Sequence, residues 1–388
     1  MASSEQSITA STAASLAAAI GAISVVGIGL GLSVPLLALE MEARGIPRTW
    51  IGLNTAMGGI ATILLAPFMP RLVRQYGAGP MLIGAIVLAI ATLIGFKATP
   101  SLAAWFVLRF LFGAALCVLF VVSEFWINAA APPQRRGLVM GVYATVLSLG
   151  VAGGPAILGV TGIEGWAPYL AGAALFALGT IPVLIGANGA PEVHTESRLG
   201  MMALIRIAPS ATLAGLIFGA VETGEMSFLA IYGLRRGLDE QTAALLMTMA
   251  LLGGVACQIP LGLLSDRMDR RKLLLICAVV GVVGSLLLPA LAMDGWAIRA
   301  VLFVSIGVVA GLYTVGLAHL GARFEGAELA AANAAFVMLY SIGLIIGPPM
   351  VGAGMDALDP HGFAYTIAAL LGVYAVVVAW RIARVPRK

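Results

Sequence analysis

Two stretches decide the fold: Gly150-Val-Ala-Gly-Gly154-Pro155-Ala-Ile-Leu-Gly159 and Gly343-Leu-Ile-Ile-Gly347-Pro348-Pro-Met-Val-Gly352. Both read Gly-x3-Gly-Pro-x3-Gly. From 150 to 343 the offset is about 193 positions, half of a 388-residue chain. Glycines four apart share one face of a helix and let a neighbouring backbone come close. A proline in the same helix removes a backbone hydrogen bond and permits a bend. Such a unit, repeated at half-length, predicts a duplicated membrane bundle, the usual framework of a secondary transporter. Plain helix packing accounts for the motif. A hinge or sealed surface built from Gly154, Pro155, Gly347 and Pro348 is the functional reading, and the two are compatible.

Composition leads to the same class. Apolar residues make up 61% of the chain and charged residues 10%, and the mean hydropathy is +1.03. A soluble domain of this length would carry about a quarter of its residues charged. Apolar runs of about 18–25 residues alternate with short polar breaks, each run long enough to cross a bilayer as a helix. The runs lack the period-2 alternation of barrel strands. The prediction is an all-α membrane protein of twelve transmembrane helices in two pseudo-symmetric six-helix bundles. The expected spans are 14–39, 49–70, 79–97, 101–127, 138–162, 167–187, 207–232, 242–264, 273–292, 299–320, 331–354 and 362–382.

With the N-terminus placed in the cytoplasm, fifteen of the 22 Lys and Arg residues fall on the cytoplasmic side. Six fall outside and Arg109 lies within a span. Positive residues favour the cytoplasmic side, so both termini are expected there. The net charge of +4 is explained by these loops, and no nucleic-acid partner is expected. The polar stretch from Asn188 to Gly200 reads as a cytoplasmic linker. It gives a first bundle at 1–187, a linker at 188–206 and a second bundle at 207–388. The N-terminus lacks the basic region of a signal peptide, so the first run is read as a retained span. Cys117, Cys257 and Cys277 are dispersed in apolar runs and read as small packing residues.

The loop between the eighth and ninth spans reads Gly262-Leu-Leu-Ser-Asp266-Arg267-Met-Asp269-Arg270-Arg271. It resembles the Gly-x3-Asp-Arg-x-Gly-Arg-Arg signature of the major facilitator superfamily, with Asp269 where that family usually has glycine. The matching loop of the first half, around Arg71 and Arg74, lacks the aspartate. Arg109-x3-Gly113 resembles the helix-4 arginine element of the same superfamily, which is linked there with proton coupling. More narrowly, Pro35-Leu-Leu-Ala-Leu, Ile51-Gly-Leu-Asn54, Glu124 with Arg136-Gly137, and Leu329 to Phe336 before Tyr340 resemble a bacterial YcaD-like branch. The resemblance implies the major facilitator fold and a multi-pass protein of the bacterial cytoplasmic membrane, expected to act as a monomer. It implies a central cavity lined by helices 1, 4, 7 and 10. It also implies a gating role for Gly262, Asp266, Arg267, Arg270 and Arg271, although the orientation rule alone accounts for these basic residues.

Ionisable residues inside a membrane are costly and are functional candidates by default. Glu222 and Glu225 are three apart on one helix face. Counted inward at ~1.5 Å per residue, Arg109 lies ~12 Å deep, Glu225 ~10 Å and Glu222 ~15 Å. An arginine from one half and two carboxylates from the other are therefore expected at one depth, with Glu222 or Glu225 carrying a coupling proton and Arg109 competing for the ionised carboxylate. A static ion pair closing the outer gate is the other reading. Glu124 is either a substrate- or proton-handling carboxylate or a partner of nearby basic residues. Asn54, Trp126, Tyr143, Tyr313, Asn333 and Tyr340 complete the substrate-binding candidates, although such groups equally often join helices by hydrogen bonds.

Nucleotide-binding, nucleophile-elbow and zinc-protease motifs are absent, so neither a cofactor nor an enzymatic activity is expected. His319, Met247 and Met249 raise metal-ion uptake, but no His/Met cluster has ligand spacing, and no metal site is assigned. The resulting expectation is a secondary active transporter of a small organic solute, driven by protons and working by alternating access. Efflux of amphipathic or toxic compounds and nutrient uptake are the competing directions. Its partners are then the solute, protons and the lipid bilayer.

Overall fold

The structure, a computed structural model, describes residues 10–132, 136–186, 209–323 and 326–384. The expected linker at 188–206 lies outside the described residues. Among those described, twelve helices are long and apolar enough to cross a membrane. They are α1 (Ala10–Ala43), α2 (Arg48–Tyr76), α3 (Ala78–Ala98), α4 (Leu102–Ala130), α5 (Arg136–Thr161) and α6 (Ala167–Gly186). The second set is α7 (Pro209–Arg235), α8 (Glu240–Arg267), α9 (Arg270–Ala290), α10 (Trp296–Gly321), α11 (Gly326–Ala357) and α12 (Gly362–Arg384). All twelve expected spans are present, most with ends within four residues of those read from the pattern.

The departures have local causes. Pro67 cannot donate a backbone hydrogen bond, and α2 tightens into a 3-10 turn at Ala66–Phe68 before resuming at Met69–Tyr76. That last segment buries Met69 and Val73 and leaves Arg71 and Arg74 exposed, as suits a helix at a membrane surface. It ends at Gly77, whose φ of 80° is available to glycine and strained for other residues. The apolar run read as one tenth span is broken at Ala310, between Trp296–Val309 and Gly311–Gly321. Helix α7 continues to Arg235, three residues past its expected end, so Glu222 and Glu225 lie ~4.5 Å deeper than expected.

The helices of each set pack among themselves, with α1 against α5 and α6 in the first and α7 against α11 and α12 in the second. The two sets meet through α2 with α11, α5 with α8, and α1 with α7. The most apolar windows of α1 and α7 are 83% and 72% buried, against at most 50% in the other ten, which puts these two helices on the central axis. The three cysteines are free, with Cys117 and Cys277 buried.

The repeated motif explains both kinds of packing. A β-carbon at Gly154 would collide with the α1 backbone at Gly31, and one at Gly150 would press on that at Gly27 from 3.0 Å. One at Gly343 or Gly347 would collide with the α7 backbone at Gly219 or Ala220. These four glycines hold each bundle together. The last glycine of each copy faces the other bundle: Gly159 meets Leu245 of α8, and Gly352 meets the backbone of Arg48 in α2.

Candidate functional site

Two adjoining cavities lie between the bundles. The smaller, ≈ 120 Å³, is lined by α1, α2, α4, α7 and α11 and contains Arg109, Ser33, Thr55, Thr62 and Thr223. The larger, ≈ 250 Å³, reaches toward α5, α8 and α10 and contains Glu225, Ser148, Gln258 and Thr314. Leu30, Val151, Glu222 and Tyr340 line both and form the wall between them. In that wall the Tyr340 hydroxyl donates to Glu222 Oε2 at 2.6 Å. The Tyr340 ring stacks on Phe218 at 6.0 Å and meets Tyr313 edge-on at 5.6 Å, so the larger cavity has an aromatic side.

Arg109, 4% exposed, donates from Nη1 to Ser33 Oγ at 3.3 Å and has no carboxylate partner among the described residues. It is brought there by the close approach of α4 to α2, where Gly113 faces the Gly58 backbone one turn further on. Glu225, 9% exposed, has no hydrogen-bond or ion-pair partner among the described residues. Arg109 thus lines the smaller cavity, Glu225 the larger and Glu222 both, and no ion pair forms between them among the described residues. The static Arg109–carboxylate gate is not present.

The charges that do close one end were missed as a group. At the end opposite the termini, Arg48 of α2 pairs with Glu42 of α1 at 3.2 Å and with Asp359 beyond α11 at 3.2 Å. Arg235 of α7 pairs with Glu42 at 2.9 Å. Asp356 of α11 accepts the backbone N–H of Arg48 at 3.0 Å and of Thr49 at 2.9 Å, and the Thr49 hydroxyl at 2.7 Å. A carboxylate from one bundle therefore caps the first turn of a helix in the other, where the helix dipole favours negative charge. The sequence signal was a set of charges at helix ends, and nothing in their spacing indicated pairing across some 308 residues.

Of the other candidates, Tyr313 and Tyr340 line the larger cavity. Glu124 is exposed and within electrostatic reach of Tyr143 and Tyr313. Trp126 is a correction: it is fully buried, and its indole N–H donates to Ser15 Oγ at 2.7 Å, joining α4 to α1 away from both cavities. Trp126→Phe is expected to cost about 1 kcal/mol of stability, read as a lower Tm, without changing solute affinity. Tyr143 is likewise buried, sharing a hydrogen bond of 2.9 Å with Ser123 that ties α5 to α4. Asn54 and Asn333 line neither cavity, and Asn54 Nδ2 and Asn333 Oδ1 are buried without a partner among the described residues. No cluster of three or more His, Cys, Asp or Glu residues able to hold a metal occurs among the described residues.

Residues 19–243 and 211–388 match the family model of the Major Facilitator Superfamily. The chain belongs to that superfamily. A Bacillus subtilis relative described as the uncharacterized MFS-type transporter YfkF is 23% identical over 355 residues, covering 90% of each chain. An uncharacterized MFS-type transporter of Enterobacter is 22% identical, covering 88% of this chain and 89% of its own. The fold is similar to that of the nucleoside transporter NupG, with TM-score 0.76, 16% identity, and coverage of 96% of this chain and 100% of that one. It is also similar to a bacterial homologue of the lysosomal transporter Spinster solved inward-facing and unoccupied, with TM-score 0.74, 14% identity and 96% coverage of each chain. The protein is a superfamily transporter and not an enzyme. These matches support the superfamily; they do not reach the narrower YcaD-like branch.

The superfamily loop shows what its departure from pattern does. Asp269, in the usual glycine position, caps α9 by accepting the Arg271 backbone N–H at 2.9 Å. Asp266 pairs with Arg270 at 3.5 Å within the same loop. Arg267 closes α8, and Gly262 has open space where a β-carbon would go.

Proposed function

We propose that the protein is a proton-coupled secondary transporter of a small organic solute, with Glu225 as the proton carrier. In this reading the bundles 1–187 and 207–388 rock about the central cavities, joined by the linker 188–206. The excess of Arg and Lys near the termini supports a cytoplasmic assignment for that end. The closed end, with Arg48 and Asp356, is then extracytoplasmic, and this state is inward-facing.

The observation that carries the reading is Glu225, a buried carboxylate at a cavity with no partner among the described residues. An ionised carboxylate in a membrane interior needs a cation, a set of donors or a proton. Glu222 has a donor in Tyr340, whereas Glu225 has none, so a proton is the species that completes it. Arg109, in the adjoining cavity, is the cation available once that proton leaves. Glu124 extends the acidic path toward the termini. The aromatic side formed by Phe218, Tyr313 and Tyr340 supports amphipathic solutes and keeps efflux of such compounds as a second reading.

The test begins with a solute found by thermal shift, since binding to the native state raises apparent stability. In proteoliposomes a pH gradient is expected to drive its accumulation, and Glu225→Gln should abolish this while leaving counterflow exchange intact. The sign of solute-driven pH change separates symport from antiport. Full gradient-driven accumulation in Glu225→Gln would show the reading to be wrong.

A further inference from the structure

We infer that the solute is an amphipathic zwitterion whose carboxylate binds Arg109, whose ammonium group binds Glu222, and whose apolar body fills the aromatic cavity. The inference rests on the transport reading and concerns the ligand of the same site. Its basis is an imbalance of charge. Arg109 is buried at the smaller cavity and has one neutral partner, the Ser33 hydroxyl. A buried guanidinium without a counter-ion is costly, and its fork of donors matches a carboxylate. Glu222 lines the same cavity, and Tyr340 engages only its Oε2. With Glu225 assigned to the proton, the remaining lining charges are one cation and one anion that face the cavity without touching each other.

A simple organic cation would satisfy Glu222 and be repelled by Arg109. A simple anion would satisfy Arg109 and be repelled by Glu222. A zwitterion set antiparallel to the pair satisfies both. In this arrangement the remainder of the molecule lies beyond Glu222 and Tyr340, which line both cavities, in the ≈ 250 Å³ cavity lined by Phe120, Phe218 and Tyr313. An apolar or aromatic body of modest size fits there, and the Gln258 and Thr314 side chains supply further polar contacts.

A matched set of probes tests this on the full-length purified protein by calorimetry or thermal shift: phenylalanine, 2-phenylethylamine, which lacks the carboxylate, and 3-phenylpropionate, which lacks the amine. Phenylalanine is expected to bind roughly tenfold or more tightly than either analogue, because each analogue leaves one buried charge unpaired. Arg109→Gln should bring phenylalanine down to the affinity of 2-phenylethylamine and leave that amine no weaker. Arg109→Lys, which keeps the charge, should fall between the two. Equal or tighter binding of either analogue to the unmutated protein overturns the inference, as does the failure of all three to bind at millimolar concentration. The comparison on unmutated protein stands even where a variant does not fold. It needs no gradient, so it succeeds or fails separately from proton coupling.

Discussion

Gly347→Val is expected to abolish the folded transporter, read as loss of the monodisperse peak in detergent size-exclusion chromatography. A β-carbon at 347 would overlap the backbone of Ala220 in α7, including its carbonyl oxygen. Added bulk in a packed interior costs about 1–3 kcal/mol when side chains can adjust. Here the obstacle is main chain, so the two helices must separate along their length. Against a total stability of about 5–15 kcal/mol, that loss is decisive. Gly154→Val should behave alike, since its β-carbon would meet Gly31 and Leu32 of α1. Gly153→Val is the control, because a β-carbon there meets nothing within 4 Å. If Gly153→Val is as damaging as its neighbour, the motif serves backbone bending and not close packing. A monodisperse Gly347→Val protein with an unchanged Tm would refute the packing account altogether.

The pattern of Gly-x3-Gly-Pro-x3-Gly was therefore legible as packing, but not in its division of labour. Spacing puts the first two glycines ~40° apart on one face and the third ~140° further round the helix; it does not show that the first face meets the same bundle and the other meets the opposite bundle. The twelve spans were legible for a similar reason. Runs of apolar residues carry their own length, and a bilayer sets what length is needed. The breaks at Pro67 and Ala310 were not legible in the same way, because membrane helices tolerate a proline or glycine inside an apolar run when neighbouring groups re-satisfy the backbone.

The candidate site divides along the same line. Glu222, Glu225 and Arg109 stood out because charge inside an apolar run is rare and costly. Trp126 stood beside Glu124 in sequence, yet successive residues on a helix point about 100° apart, and its indole turns to Ser15 of α1. Phe218 and Phe120 were invisible against an apolar background, although they help to shape the larger cavity. The difference in surroundings between Glu222 and Glu225 also came from geometry. Both are carboxylates of one helix face, and the Tyr340 hydroxyl distinguishes them.

Arg48→Met is expected to open the end that is closed in this structure. Arg48 is 5% exposed and joins Glu42 of its own bundle to Asp356 and Asp359 of the other. Without it, Glu42 and Asp359 are left to Arg235, and Asp356 keeps only the Thr49 hydroxyl and the backbone N–H groups that it caps. Breaking a fully buried pair costs about 3–5 kcal/mol. The Asp356 and Asp359 side chains are 32% and 41% exposed, so solvent screening brings the loss nearer about 1–2 kcal/mol. That loss falls on the closed state alone, since separation of the bundles returns these groups to water. The open-to-closed ratio should rise roughly five- to thirtyfold, at about 1.4 kcal/mol per factor of ten. Spin labels at Glu164→Cys and Asp294→Cys, both exposed at this end, would report it after Cys117, Cys257 and Cys277 are replaced by serine. The distance distribution should gain a longer component in Arg48→Met. Asp356→Asn, which keeps the shape and weakens the cap on α2, should shift it less. Arg270→Met, at the opposite end, should leave the closed population undiminished. An unchanged distribution in Arg48→Met would mean that the glycine contacts at 52, 159 and 352 hold this end closed without the charges.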